Sequence, residues 1–349
     1  VNAPVTGRVL RSGRDRVSFR VDGRSVGVGA VLATALAAVV LTSLTTGEFP
    51  LSVGDALRAL VGAGEPGHEF IVTTVRLPRV LTAVFVGAAL AVGGAILQSL
   101  TGNPLGSPDI IGITFGSASG ALIVIVLVNE TMLQISLGAL AGGLGTAVLI
   151  YLLAYVSGVQ GFRFVLVGIG VGAMALALNS YLITRASLPD ALAAQGWLIG
   201  SVNGRGWTHA TPVGIALAVL VPLALYHGRR LAMLELGDDA ARALGIGVER
   251  SRLVLIVVSV ALAAVATAAA GPIAFVALAA PQLARRLTRA PGPGLVPAAL
   301  LGGLLLAASD LLVQRLFPTG QLPVGTATGT IGGLYLMWLL ATEWRKGRP

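Results

Sequence analysis

The chain has no cysteine, three histidines and one lysine, and only 11% of its 349 residues are charged. Each scarcity removes a class of chemistry. Without cysteine there are no disulfides, no thiolate metal sites and no cysteine nucleophile. A P-loop needs a lysine followed by Ser or Thr after a glycine-rich turn, but Lys346 is followed by Gly347. His68, His209 and His227 are far apart and lack metal-ligand spacing. No catalytic residue, metal site or cofactor is therefore expected, and any ATP hydrolysis must sit in another chain. The net charge of +9 invites a nucleic-acid reading, yet no basic stretch is interleaved with aromatics as a base-stacking surface would be.

What is abundant is apolar length. Hydrophobic residues make up 55% of the chain and the mean hydropathy is +0.87, whereas soluble domains carry about 25% charged residues. Runs of roughly 20 apolar residues match the ~30 Å hydrocarbon layer of a membrane. Backbone polar groups there must be satisfied internally, which leaves helices or a closed barrel. These runs are too long and too rich in Leu and Ala for the ~10-residue alternating strands of a barrel. The fold class is an all-α integral membrane protein of about ten spans, near 26–46, 78–100, 109–128, 132–157, 164–185, 209–227, 253–270, 272–285, 296–317 and 322–342.

Basic residues set the orientation. With both termini in the cytoplasm, 18 of the 24 Lys and Arg fall on cytoplasmic segments, and Arg58, Arg76, Arg79, Arg185, Arg205 and Arg315 remain outside. The uncharged run 253–284 is flanked by arginines at both ends and is broken at Gly271-Pro272, which favours two short spans over one tilted helix. The resulting organisation is a basic cytoplasmic tail over 1–25, a transmembrane domain over 26–342 with a cytoplasmic loop at 228–252, and a cytoplasmic tail over 343–349. The run Val26–Thr46 is too long for a signal h-region and reads as a retained span. An amphipathic piece is expected near Ser52–Leu60. Pro189, Trp197 and Trp207 suggest a short interfacial or re-entrant helix anchored at the headgroups.

Glycine spacing points to helix contacts. Gly112, Gly116 and Gly120 recur every four residues, as do Gly325, Gly329 and Gly333, and Gly168 pairs with Gly172. Asp310 alone lies well inside a span, with Gln314 one turn on as its expected partner, which is thin support for ion coupling. Ser107, Pro108 and Asp109 read as an N-cap, an N1 proline and a first-turn acid. The chain thus looks like a conduit without an engine. The loop Leu231–Gly247 is the best place for a motor to push: two short helices broken at Gly237, with Asp238 and Asp239 opening the second. Its Leu231, Met233, Leu234, Leu236, Leu244 and Ile246 would be poorly placed facing water.

Several stretches carry a resemblance: Arg76-Leu-Pro-Arg79, GAALAVGGAILQSLTGNPLGSPDIIG (87–112), LELGDDAARALGIGVERSRL (234–253), GPIAFVALAAPQLARRLT (271–288) and QLPVGTATGTIGG (321–333). Together they resemble the FecCD/BtuC-type permeases of ABC importers, most nearly those for ferric enterobactin and similar catecholate siderophores. The resemblance runs in matching order from Arg76 to Gly333. It implies ten spans and a second, identical or paralogous, permease subunit. It also implies two cytoplasmic ABC ATPases, an extracytoplasmic siderophore-binding protein and a ferric siderophore substrate. The ATPase-coupling residues would be Leu234, Glu235, Leu236, Gly237, Asp238, Asp239, Ala240, Arg242, Leu244 and Gly245. Binding-protein docking would fall on Arg76, Arg79 and Arg315, and the cytoplasmic gate on Gln160 and Gly161, where cobalamin-type relatives carry small hydroxyl residues. Ala280-Pro281-Gln282 replaces the family's common Pro-His, so a role for that His does not carry over. The expected function is ATP-driven import of a ferric siderophore across the bacterial cytoplasmic membrane by alternating access. The alternatives are a cobalamin or haem permease within the class and an ion-coupled secondary transporter outside it.

Overall fold

The computed structural model describes residues 8–11, 18–128, 131–155, 161–290, 292–317 and 322–346. In the N-terminal tail, strands β1 (Arg8–Arg11) and β2 (Ser18–Val21) pair antiparallel, a small ribbon that the basic composition of the tail did not signal. Everything after it is helical. The first span is α1 (Gly23–Thr45), capped by Asp22, whose carboxylate accepts from the Ser25 amide. The amphipathic α2 (Val53–Leu60) follows, capped by Ser52. Then α3 (Pro66–Glu69), a π-helical segment (Phe70–Arg76) and α4 (Leu77–Thr101) run on as one helix. Pro78 at the start of α4 has no amide to donate, and the chain takes up the break as π turns, with Leu77 N–H reaching back to Val72 O.

The remaining spans are α5 (Ile113–Ile123) with π turns at Val124–Val128, α6 (Met132–Ala154), α7 (Gly161–Arg185), α9 (Trp207–Tyr226), α12 (Val248–Ala270), α13 (Val276–Thr288), α14 (Leu295–Leu316) and α15 (Val324–Lys346). Three short helices lie between them: α8 (Leu188–Ile199), α10 (Gly228–Leu234) and α11 (Asp238–Ala243). All ten expected spans have a helical counterpart, and the run 253–284 divides at Gly271 into α12 and α13. Among the described residues seven helices are long and apolar enough to cross a membrane alone, with Ile113–Val128 a shorter apolar one.

α4 and α12 form the spine. Both are buried along most of their length, α4 rich in Ala and Gly and α12 in Ala, whereas α1, α6, α7 and α9 expose large apolar side chains outward. A membrane offers no hydrophobic drive between helices, so contact rests on dispersion at close approach and on interhelical hydrogen bonds. Ser259 Oγ donates to Gly93 O at 2.7 Å, and Gln98 Nε2 donates to Leu278 O at 3.0 Å. Gly116 and Gly120 lie where a methyl group would overlap Thr146 and Gly138 of α6. Gly112 packs on Gly168 and Gly172 of α7, with a Cβ there only 2.6 Å from Gly172 Cα.

Two expectations change in detail. Ser107 caps a single turn through the Ile110 amide, but Gly112 then turns left-handed (φ 83°) and α5 starts at Ile113. Asp109 is therefore not a first-turn residue of the span. Its carboxylate accepts from Thr114 Oγ1 at 2.8 Å and from the Phe275 amide, tying this loop to the start of α13. On α15, Gly325 abuts Ile199 O and Gly332 abuts the Phe275 ring, while Gly329 and Gly333 meet nothing within 4 Å in this chain. The packed face of that helix runs through 325, 328 and 332, not along a strict four-residue stripe. For 187–207, the burial of Trp197 beside Ala194 and Leu182 favours the re-entrant form over the interfacial one; Trp207 stays half exposed and donates to Thr73 O at 2.9 Å.

Two glycines three residues apart on α6 separate packing from propensity. A Cβ at Gly142 would sit 2.9 Å from Gly120 Cα, whereas one at Gly145 meets nothing within 4 Å. Gly142→Ala is expected to lower the melting temperature in detergent, by the equivalent of about 1–3 kcal/mol of overpacking. Gly145→Ala should leave it unchanged or raise it slightly, since Ala is the better helix former by ~1 kcal/mol.

Candidate functional site: an arginine-lined cavity and a two-helix loop at opposite ends

Where α1 ends and α4 begins, a cavity of about 810 Å³ opens between the Thr46–Phe49 turn, the start of α4, the 203–206 loop and the end of α14. Arg76, Arg79, Arg205 and Arg315 line it, against the single acid Glu48. Their surroundings differ. Arg76 donates to Leu44 O (2.7 Å) and Phe49 O (2.5 Å), neutral acceptors that fix the side chain while leaving its charge unanswered. Arg315 Nη2 donates to Thr46 Oγ1 at 2.9 Å and is similarly uncompensated. Arg205 is 8% exposed, bonded to Ser201 O (3.3 Å) and beside His209 Nε2 (3.3 Å), and burial pulls its pKa down from the ordinary arginine value.

Arg79 is engaged differently. Its Nε and Nη2 donate to the two oxygens of Asp310 at 3.0 and 2.9 Å, and its Nη1 donates to Asn203 Oδ1 at 3.0 Å. Gln314 Nε2 completes the carboxylate at 2.7 Å, the contact expected from its spacing. Asp310 keeps only 7% of its side-chain surface and Arg79 24%, so this forked pair is largely withdrawn from water. It bolts α4 to α14 and to the 203–206 loop. The sequence placed Arg79 and Asp310 each in its element but held no sign of their pairing across 231 positions. Arg205 was placed at this end but given no part in the site, and Asn203 was missed. Two features signal them only in retrospect: a polar stretch between Trp197 and Trp207, and an arginine left on the side poor in basic residues.

At the opposite end lie α10 and α11. Gly237 sits between them at φ 99°, a value that suits glycine and disfavours side chains. Asp238 and Asp239 occupy the first turn of α11. A Schellman closure ends it, with Gly245 N–H on Arg242 O and Ile246 N–H on Ala241 O. The apolar content of the loop is less exposed than its composition suggests. Leu231 and Leu234 are buried against α4 and α12, and Met233 and Ile246 are half-buried; Leu236 (68%) and Leu244 (58%) alone stand clear. The loop is braced from beneath. Glu235 pairs with Arg285 at 2.8 Å and Asp238 with Arg252 at 2.5 Å, while Arg242 meets Asp239 at 3.0 Å on the surface. Leu234 and Ala241 carry the packing, so Glu235, Leu236, Asp239, Ala240 and Leu244 form the outward face.

The FecCD transport family model matches residues 35–342. The chain belongs to the FecCD transport family. The ferric enterobactin transport system permease protein FepG of Escherichia coli (strain K12) is 46% identical over 316 residues, covering 90% of this chain and 96% of that protein. The achromobactin transport system permease protein CbrC of Dickeya dadantii (strain 3937) is 37% identical, covering 96% of each. A solved structure of an inward-facing metal-chelate type ABC transporter superposes with a TM-score of 0.82 at 28% identity, over 91% of this chain and 99% of that one. This FecCD chain is thus a multi-pass permease of the cytoplasmic membrane and not itself an enzyme.

Of the gate residues expected from the resemblance, Gln160 lies outside the described residues. Gly161 opens α7, 3.1 Å (for an added Cβ) from Thr101 Cα at the end of α4. Gln282, standing where the family commonly has His, donates to Pro104 O at 2.6 Å and accepts from Tyr335 Oη at 3.3 Å, joining α13 to α15 and to the loop after α4.

Removing either partner of the Arg79–Asp310 pair strands a desolvated charge. Arg79→Gln and Asp310→Asn should each destabilise by on the order of 3 kcal/mol, the low end for buried pairs because Arg79 keeps some water contact. The double variant should lose clearly less than the sum of the two. Melting curves on all four proteins close the cycle; strict additivity would mean the contact carries no coupling.

Proposed function

We propose that this permease imports a ferric siderophore of the catecholate, enterobactin-like class, with its arginine-lined end outside and its α10–α11 end in the cytoplasm. The orientation is supported by the placement of 18 of the 24 basic residues, among them the tail arginines and those flanking α10–α13, on the cytoplasmic side. The observation that carries the proposal is the chemical division of one bundle into a cationic cavity at one end and a braced, apolar-tipped helix pair at the other. A conduit with those two ends suits delivery from an acidic-faced binding protein on one side and a push from ATPases on the other. A ferric chelate as substrate follows from the relatives together, and the enterobactin-like class rests on FepG, at 46% identity.

Two copies of such a permease, identical or paralogous, would enclose the path, with two ABC ATPases beneath and a siderophore-binding protein above. Leu236, Asp239 and Leu244 would meet the ATPase; Gly237 and Gly245 set the angles of the two helices, and Glu235, Asp238 and Arg242 hold them. Among the described residues Arg76 and Arg315 carry charge without an acidic partner, and they would receive carboxylates of the binding protein. Arg79 would do so only by leaving Asp310. Such rim charges mainly steer and orient association. The engagement of Asp310 by arginine counts against an ion-coupled carrier, since the one acid well inside a span is already committed.

Two measurements test these assignments. A strain lacking this permease should lose uptake of ferric catecholates while keeping neutral hydroxamate chelates; equal loss of both would defeat the substrate class. In a reconstituted complex, Arg76→Glu with Arg315→Glu should weaken binding-protein affinity about tenfold or more at low salt, with less effect at high salt. Gly237→Val should leave that affinity intact and lower substrate-stimulated ATPase activity.

A further inference from the structure

Beside the α10–α11 loop a second cavity, of about 610 Å³, opens between the end of α9 and the segment joining α11 to α12. Arg230 and Arg250 line it, together with Ser251 and His227, and no acidic side chain does. Acids are plentiful nearby but already engaged. Asp238 and Glu249 pair with Arg252, Asp239 with Arg242, and Glu235 with Arg285. Among the described residues Arg250 makes no hydrogen bond or ion pair, and Arg230 meets only the ring of Tyr226, at 5.8 Å. Two cations therefore share one concavity with nothing negative to answer them.

The cavity also continues into lipid-facing surface. Leu223 lies in its wall, and Val219 and Ile215 follow at one-turn intervals on the same face of α9, both about 60% exposed. On the adjoining α12, Leu253 and Val257 are exposed in the same way. A basic pocket at a helix end that opens onto an apolar strip has the shape of a headgroup seat with an acyl track.

We propose that this cavity binds the phosphodiester headgroup of an anionic phospholipid, its acyl chains lying along α9 and α12. One phosphodiester brings a negative charge and two free oxygens, which match the forked donors of the two arginines. Free phosphate would satisfy the arginines but leave the apolar strip unused. Leu236 and Leu244, the exposed apolar residues suited to a protein partner, do not line the cavity. A lipid seated there would brace Gly245–Gly247, the link between α11 and α12, from the membrane side. The site stands independently of the substrate assigned above and of which end faces the cytoplasm.

The full chain, purified in mild detergent and delipidated, would be titrated with phosphatidylglycerol or phosphatidylcholine and read by native mass spectrometry. Arg230→Gln with Arg250→Gln should retain phosphatidylglycerol about tenfold less well than the wild type, and Lys at both positions should restore most of it. Phosphatidylcholine should bind weakly and equally to all three, and inorganic phosphate at equal concentration should not displace the lipid. Should the double Gln variant elute as aggregate, Arg250→Gln alone reads the same ratio. Equal phosphatidylglycerol retention by wild type and Gln variant overturns the proposal, as does displacement by inorganic phosphate. Unchanged lipid binding with loss of ATPase co-purification would instead assign the arginines to a protein partner.

Discussion

Lipid cannot hydrogen-bond a peptide group, and that constraint governs the whole chain. It forces the spans to be helices, and it also removes the hydrophobic drive that would press those helices together. Cohesion must come from backbones that approach closely and from the few polar groups that bridge them. The spine helices α4 and α12 meet both needs. The Ala of both and the Gly of α4 let neighbours in, and Gln98 and Ser259 direct their side chains to carbonyls of adjoining helices. Where a helix must break inside the bundle, the freed groups find partners. The left-handed turn at Gly112 and the start of α13 are joined through Asp109, which takes up Thr114 and the Phe275 amide.

This constraint explains what was legible beforehand. Spans are written in local composition, so ten of them could be placed, and a pair of short helices was readable from Gly237 and the two aspartates behind it. Partnerships are not local. Arg79 and Asp310 reside on separate helices, and no spacing rule links them; only Gln314, one turn from Asp310, was within reach of such a rule. Glycine spacing found the contacts of α5 with α6 and α7 but only part of those of α15. It marked 329 and 333 on α15, yet the face that packs includes Gly332, because the neighbour is the Phe275 ring and not a regular helix groove. The loop leucines misled for a third reason. Composition shows that Leu231 and Leu234 avoid water but not that their own bundle covers them, and only Leu236 and Leu244 are left for another molecule.

Arginine has distinct uses along the chain, and the neighbours of each residue decide which. Where a carboxylate is within reach, as for Arg79, Arg252 and Arg285, the pair is structural: it locks elements that sequence separates widely. Where only carbonyls or hydroxyls are within reach, as for Arg76 and Arg315, the side chain is positioned but its field is left to act outward. Net charge alone does not distinguish these uses. The excess of +9 is a sum over bolts that are already neutralised and cations that are not.

The same distinction bears on how the two ends can communicate. α4 starts beside the arginine cavity and finishes near Ser99, which accepts from Arg285; that guanidinium also holds Glu235 in the loop. α14 is tied to α4 by Arg79–Asp310 at the other end and packs along it and along α13. A displacement of the loop therefore reaches α4 and α13 through an ion pair as well as through the packing of Leu231 and Leu234. α4, continuous from Pro66, is the longest and most buried helix available to carry it. Packed cores shift between discrete arrangements more readily than they deform. A helix held by an ion pair at one end and by the Arg285–Ser99 hydrogen bond at the other is built to shift as a unit, which suits a conduit that must open one end while closing the other.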